Sequence, residues 1–129
     1  MKIESNLVEA HIFRKINGRI EFLALKRSAE SYYPNIWQMV TGAIKKNEKA
    51  YECAIREIRE ETGLSPVKLW ALPNVNSYYS ASEDAIILIP VFAAEIGNSC
   101  EVAISKEHLN KTRSKLNFLN DRDAFTIDN

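Results

Sequence analysis

Apolar positions near the start of this chain recur at the short spacing of strands. Leu7, Ala10, Ile12 and Phe13 open one that ends at Asn17-Gly18, the pair favoured in a two-residue type I′ turn. Ile20, Phe22 and Ala24 then alternate with Glu21, Leu23 and Leu25, so a hairpin is predicted. Residues 28–36 collect Ser, Pro and Asn and predict a loop, after which Trp37 to Thr41 form a short strand. The spacing changes to that of a helix after Asn47, a permissible N-cap, and holds to about Thr62, where Gly63 and Pro66 stop it in the expected order. Val67 to Leu72 and Val75 to Tyr79 predict two short strands separated by Pro73. Ser80 to Asp84 predict a turn, and the continuous Ile- and Val-rich run Ala85 to Ile96 predicts the most buried strand of the chain. Glu101 to Ser105 suggest one more strand, and Leu109, Leu116, Leu119 and Phe125 a short closing helix. A hairpin, one strong helix and several later strands fit an α+β domain on a mixed sheet better than a parallel doubly wound one.

The helix carries the unusual chemistry. With Glu57 at zero and about 100° per residue, Glu60 lies near 300° and Glu61 near 40°, so three acids share an arc of roughly 100°. Like charges at this spacing repel, and something cationic belongs beside them. Ala50, Tyr51, Ala54 and Ile58 fall between about 20° and 120° on the same wheel, overlapping the acid arc. A merely solubilising acidic run points to the opposite side. Hard divalent ions such as Mg²⁺ take carboxylate oxygens beside a loop carbonyl, whereas His and Cys are too few and badly spaced for zinc. Arg56, near 260°, is placed to orient a ligand carboxylate.

Residues 42–64, GAIKKNEKAYECAIREIREETGL, resemble the Nudix box, Gly-x5-Glu-x7-Arg-Glu-U-x-Glu-Glu-x-Gly-U with U aliphatic. Gly42, Glu48, Arg56, Glu57, Ile58, Glu60, Glu61, Gly63 and Leu64 fill every fixed position. The resemblance implies the Nudix fold, a mixed sheet in an α/β/α sandwich. It also implies a loop-helix-loop holding Mg²⁺ or Mn²⁺ on Glu57, Glu60 and Glu61, with Thr41 beside them, and hydrolysis of a diphosphate linked to another group. Glu48, Gly42, Arg56 and Gly63 would shape and orient that site. The approach WQMVTG is similar to the matching stretch of bacterial dihydroneopterin triphosphate pyrophosphatases. It implies a nucleoside triphosphate or pterin triphosphate cleaved to monophosphate and pyrophosphate, with ADP-ribose or dinucleoside polyphosphates as the alternative. A non-catalytic nucleotide-sensing module is the alternative of another class.

Beyond the box, Arg27 beside Lys26 is either a phosphate contact or an ordinary charged strand end. Tyr33, Trp37 and Gln38, with Tyr32, either present a platform to a base or pterin ring or, for Trp37, cap the core. Glu107-His108 resembles the point where a glutamate outside the box approaches the metal site in this family, which makes Glu107 a candidate ligand or general base. Residues 1–108 carry the resemblance.

Composition narrows the partners. Formal net charge is zero, with 46 % hydrophobic and 26 % charged residues and no long single-sign block, so nothing general attracts nucleic acid or anionic membrane. Two cysteines, Cys53 and Cys100, and no membrane-length apolar run point to a reducing cytoplasm. The length, 129 residues, suits a single domain, and the poorly matched C-terminal end leaves a sheet face that a second subunit would cover in a homodimer.

Overall fold

In a computed structural model, residues 1–26, 37–97 and 115–120 are described, with Leu25, Lys26, Trp37, Gln38 and residues 115–120 described by backbone alone. Eight strands and one helix follow in the order β1 (Lys2–Glu4), β2 (Leu7–Ile16), β3 (Arg19–Lys26), β4 (Trp37–Gln38), β5 (Val40–Ala43), α1 (Ala50–Thr62), β6 (Lys68–Ser80), β7 (Ala85–Glu95) and β8 (Lys115–Asn120). The sheet is mixed. β7 runs parallel to β1 and β2, and every other pair is antiparallel. β2 is its hub, pairing with β5 along Leu7 to Ala10, with β3 along Ile12 to Ile16, and with β7 along Glu9 to Phe13.

The hairpin forms as its turn residues dictate, with Asn17 at φ 51° and Gly18 at φ 75°, the two left-handed positions of a type I′ turn. β7 is the buried strand expected, with Ala85, Ile87, Val91, Phe92 and Ala94 all inside. Alternation along β2 sends Val8, Ala10 and Ile12 to one face, where they meet Val40, Phe92 and Ala94 and the Cys53, Ala54 and Ile58 face of α1. Among the described residues that is the one helical layer, so the fold is the expected α+β mixed sheet, and the second helical layer of the expected α/β/α sandwich is not among the described residues.

Four local expectations change. The N-cap is Lys49, and Asn47 instead takes a left-handed turn at φ 64°, two residues earlier; the backbone N–H of Lys49 is satisfied by Glu52 Oε1 at 3.0 Å. Tyr51 is 47 % exposed rather than part of the apolar face. The two strands flanking Pro73 are one, β6, because a bulge absorbs the proline: the register shifts between Ala71, which faces Phe92, and Val75, which faces Pro90, so Pro73 falls inside the irregularity. Leu116 and Leu119 lie in strand β8, not in a helix. Six consecutive register partners on β3 satisfy that backbone, and Leu116 and Phe118 alternate with period two. Leu109, Phe125 and the Glu101 to Ser105 strand lie outside the described residues.

Candidate functional site

The site is built where β5 meets α1. Gly42 has no side chain because none fits: a Cβ placed there would collide with Cγ and Cδ of Glu57. The carboxylate arm of Glu57 therefore lies flat against the strand, 12 % exposed, in the middle of the buried arc that Cys53, Ala54, Ile58 and Thr62 define. An acid on the core side of a helix is costly unless compensated. Arg56 supplies the compensation, donating from Nη1 to Glu57 Oε1 at 2.8 Å and to Glu60 Oε2 at 3.2 Å. Its other end grips Glu48, Nε to Oε2 at 2.7 Å and Nη2 to Oε1 at 3.0 Å, a bidentate fork, while Nη2 also donates to the Ala43 carbonyl at 2.9 Å. One guanidinium thus fastens the loop after Gly42 to two acids of the helix.

Electrostatics follow this geometry. The hydrogen bonds from Arg56, then from the Lys45 backbone N–H, hold the Glu48 carboxyl down to about 2. Arg56 itself is raised above its ordinary value, chiefly by its bond to Glu48. Burial pushes the neighbouring Cys53 thiol up to about 11, leaving it an unreactive packing residue. The helix ends at Gly63, φ 73°, whose N–H bonds to the Arg59 carbonyl at 2.9 Å. Thr62, buried, donates to the Ile58 carbonyl at 2.6 Å and accepts from the Leu64 N–H at 3.1 Å, turning the chain away from the acids.

The donor set suits a hard divalent cation. Glu57 is held in a cradle open only to a glycine, Glu60 is 53 % exposed, and Glu61 is one position on from it along the helix. In the arrangement seen, Arg56 occupies Glu57 and Glu60, and no group of three metal-binding side chains closes on a common point among the described residues. Thr41 lies beside Gly42, but strand alternation turns its side chain to the other face, so only its backbone is near the acids. Trp37 and Gln38 form β4, paired with Lys26 and Leu25. Arg27, Tyr33, Glu107 and His108 lie outside the described residues.

A second feature went unread in the sequence. The sheet face turned away from α1 holds a cleft of about 390 Å³ whose lining includes Glu9, His11, Phe13, Met39, Asn74 and Asn76. Glu9 Oε2 receives His11 Nε2 at 3.0 Å and Asn76 Nδ2 at 2.9 Å. Phe13, part of that lining, also stacks on Trp70 at 5.7 Å between ring centroids. The signal was present in β2: polar Glu9 and His11 alternate with Val8, Ala10 and Ile12 in a strand that must be interior to the sheet.

A family model described as the NUDIX domain matches residues 7–99. The chain belongs to the Nudix family. It is 31 % identical over 101 residues to a Caenorhabditis elegans bis(5′-nucleosyl)-tetraphosphatase (asymmetrical), spanning 77 % of this chain and 70 % of that protein. A binary-complex crystal structure of a C. elegans Ap4A hydrolase is similar at TM-score 0.70 and 25 % identity, over 97 % of this chain and 85 % of the other. The NUDIX domain of Shewanella oneidensis NrtR, crystallised with ADP-ribose, shares the fold at TM-score 0.68 and 16 % identity, over 98 % and 79 %. This Nudix chain is an enzyme, a hydrolase of phosphoric anhydrides. No helix among the described residues is long and apolar enough to cross a membrane.

Proposed function

We propose that the chain hydrolyses dinucleoside polyphosphates in the presence of Mg²⁺ or Mn²⁺, cleaving a tetraphosphate unequally into a nucleoside monophosphate and a nucleoside triphosphate. The observation that carries this is the 31 % identity to the asymmetrical tetraphosphatase over most of both chains. It reverses the order of the sequence expectations, in which a nucleoside or pterin triphosphate stood first and dinucleoside polyphosphates second. The intact acid set Glu57, Glu60 and Glu61 favours turnover over a nucleotide-sensing role.

Glu57, Glu60 and Glu61 would hold the divalent ion, with the backbone around Gly42 alongside. Such an ion, when bound, neutralises phosphoryl charge and lowers the pKa of water in its shell. The chain's own residues do the rest. Arg56 fixes the directions of Glu57 and Glu60, and Glu48 fixes Arg56, so the acids are held in place before substrate arrives. Water attacks one phosphorus, the bridging P–O bond on the departing side breaks, and a carboxylate accepts the water's proton. A box glutamate or Glu107 serves as that base. The test is a substrate panel with Mg²⁺, comparing a dinucleoside tetraphosphate, dihydroneopterin triphosphate, the common NTPs and dNTPs, and ADP-ribose. The highest kcat/KM falls to the dinucleotide; a higher value for a triphosphate or for ADP-ribose would displace this reading.

A further inference from the structure

We infer that the outer edge of β6 is a docking surface for a second copy of this chain, which pairs with it antiparallel about a two-fold axis at Ser77 and joins the two sheets into one. This surface is separate from the acid site. It also differs from the sheet face over which the sequence expectation placed a second subunit.

Three observations carry the pairing, and the first is exposure. β6 lies at the margin of the sheet, and among the described residues only β7 pairs with it. Residues 73–79 are exposed without a break, so both faces of that stretch are open as well as its outer backbone. Val75 is 60 %, Tyr78 50 % and Tyr79 56 % exposed, while Ala85 and Ile87 on the neighbouring strand are buried.

The second is the lack of protection. An edge strand offers unpaired N–H and C=O groups, and folded chains guard such edges with charges, prolines or bulges. Here residues 69–82 hold no charged side chain, in a chain of which 26 % is charged. Pro73 and the bulge lie at one end of the exposed stretch, and from Val75 to Ser80 the register with β7 is regular. Over those residues no charge, proline or bulge keeps another strand away.

The third is that the stretch matches itself. Pairing the same edge of two copies antiparallel requires an axis perpendicular to the sheet, which leaves each face on its own side. Partners must then be same-face residues, an even number apart, so the axis passes through a residue. Pro73, which has no N–H, bounds the pairing on one side and the turn after Ser80 on the other, and the run 74–80 between them is centred on Ser77. Val75 of each copy then faces Tyr79 of the other on one side of the sheet, and Asn76 faces Tyr78 on the other side. Aromatic and β-branched partners are favourable across an antiparallel ladder. A formal net charge of zero sets no general repulsion between copies. Each edge is used up by its twin, so assembly closes at two, and this self-match favours a second copy over a strand from another protein.

The experiment is sedimentation velocity of the whole chain from about 1 to 200 µM, because one pair of strands makes a small interface, below about 1,200 Å² in total, and so a weak dimer. A monomer–dimer equilibrium is the expected result. Ser77→Lys, at an exposed position, sets two ammonium groups opposite each other at the axis and weakens association about tenfold or more, with the circular dichroism spectrum unchanged. Ser77→Cys reads the register. Directly opposed residues lie about 4.5 or 5.5 Å apart between Cα atoms, either of which admits a disulfide, so mild oxidation gives a covalent dimer linked 77 to 77, as peptide mass spectrometry maps. A chain that stays monomeric over the whole range would overturn the inference and leave the edge to a strand of another protein. A dimer that Ser77→Lys leaves intact, or one that yields no 77-to-77 link, would overturn it as well. None of these readouts depends on hydrolysis, so the pairing and the proposed reaction fail separately.

Discussion

The two faces of the sheet solve opposite problems with the same strands. On the helix face, Val8, Ala10, Val40 and Ile58 make a dry core into which one acid, Glu57, is admitted because Arg56 meets it and Gly42 leaves room. On the open face, Glu9 sits among Phe13, Met39 and Val91, and one of its oxygens meets His11 Nε2 and Asn76 Nδ2. The first arrangement concentrates negative charge and anchors it with a cation that itself has further partners. The second meets a single carboxylate with a ring nitrogen and an amide.

The largest break in this contrast comes from Glu57→Gln. It removes the acid held in the cradle while keeping its shape, and activity falls about 100-fold or more in steady-state assays with Mg²⁺. The circular dichroism spectrum stays unchanged, since an isosteric amide still accepts from Arg56. Gly42→Ala attacks the same cradle from the strand side. The added methyl forces Glu57 off its position, costing about 1–3 kcal/mol in denaturant unfolding, and turnover drops with it.

A smaller effect separates structural from reacting charge. Because Glu48 is depressed to about 2 in the folded chain, its contribution to stability is complete above the ordinary carboxylate value of 4.5 and is lost as pH falls from there through about 2. An acid titration followed by circular dichroism shows a fall over that window, and Glu48→Gln, which lacks the titrating group, flattens it. A steep wild-type loss confined to pH above 5 would place the responsible group elsewhere. The least effect is at Cys53. Its buried thiol, pushed up to about 11, resists iodoacetamide at pH 8 in the native chain and reacts after denaturation, as peptide mapping of that residue reads out.

How far this was legible in the sequence differs between the faces for a physical reason. The acid site was legible because a helix brings residues three and four apart together, so Glu57, Glu60 and Glu61, with Arg56 and Glu48 nearby, are neighbours in sequence and space alike. The Asn17-Gly18 turn, the Gly63 helix end and buried β7 were legible on the same local grounds. The cleft was not. Asn76 reaches Glu9 from 67 residues away, and only the β7 register that lies between β2 and β6 brings them together. β1 was missed because Lys2–Glu4 holds one apolar residue and gains its structure from pairing with Ala85 to Ile87. β6 was split in two because a proline argues against a regular strand, and only its partner shows that a bulge accommodates it. In β8, Leu116 and Leu119 suit either a helix or a strand by spacing, and the ladder on β3 decides.

The central claim is that the acids fastened by Arg56 cleave a dinucleoside polyphosphate unequally. The most direct test is to follow diadenosine tetraphosphate with Mg²⁺ by ³¹P NMR for the wild-type chain and Glu57→Gln side by side. AMP and ATP appearing in equal amounts, with the variant nearly silent, is the predicted result. Two molecules of ADP as products, or a variant as fast as wild type, would contradict it.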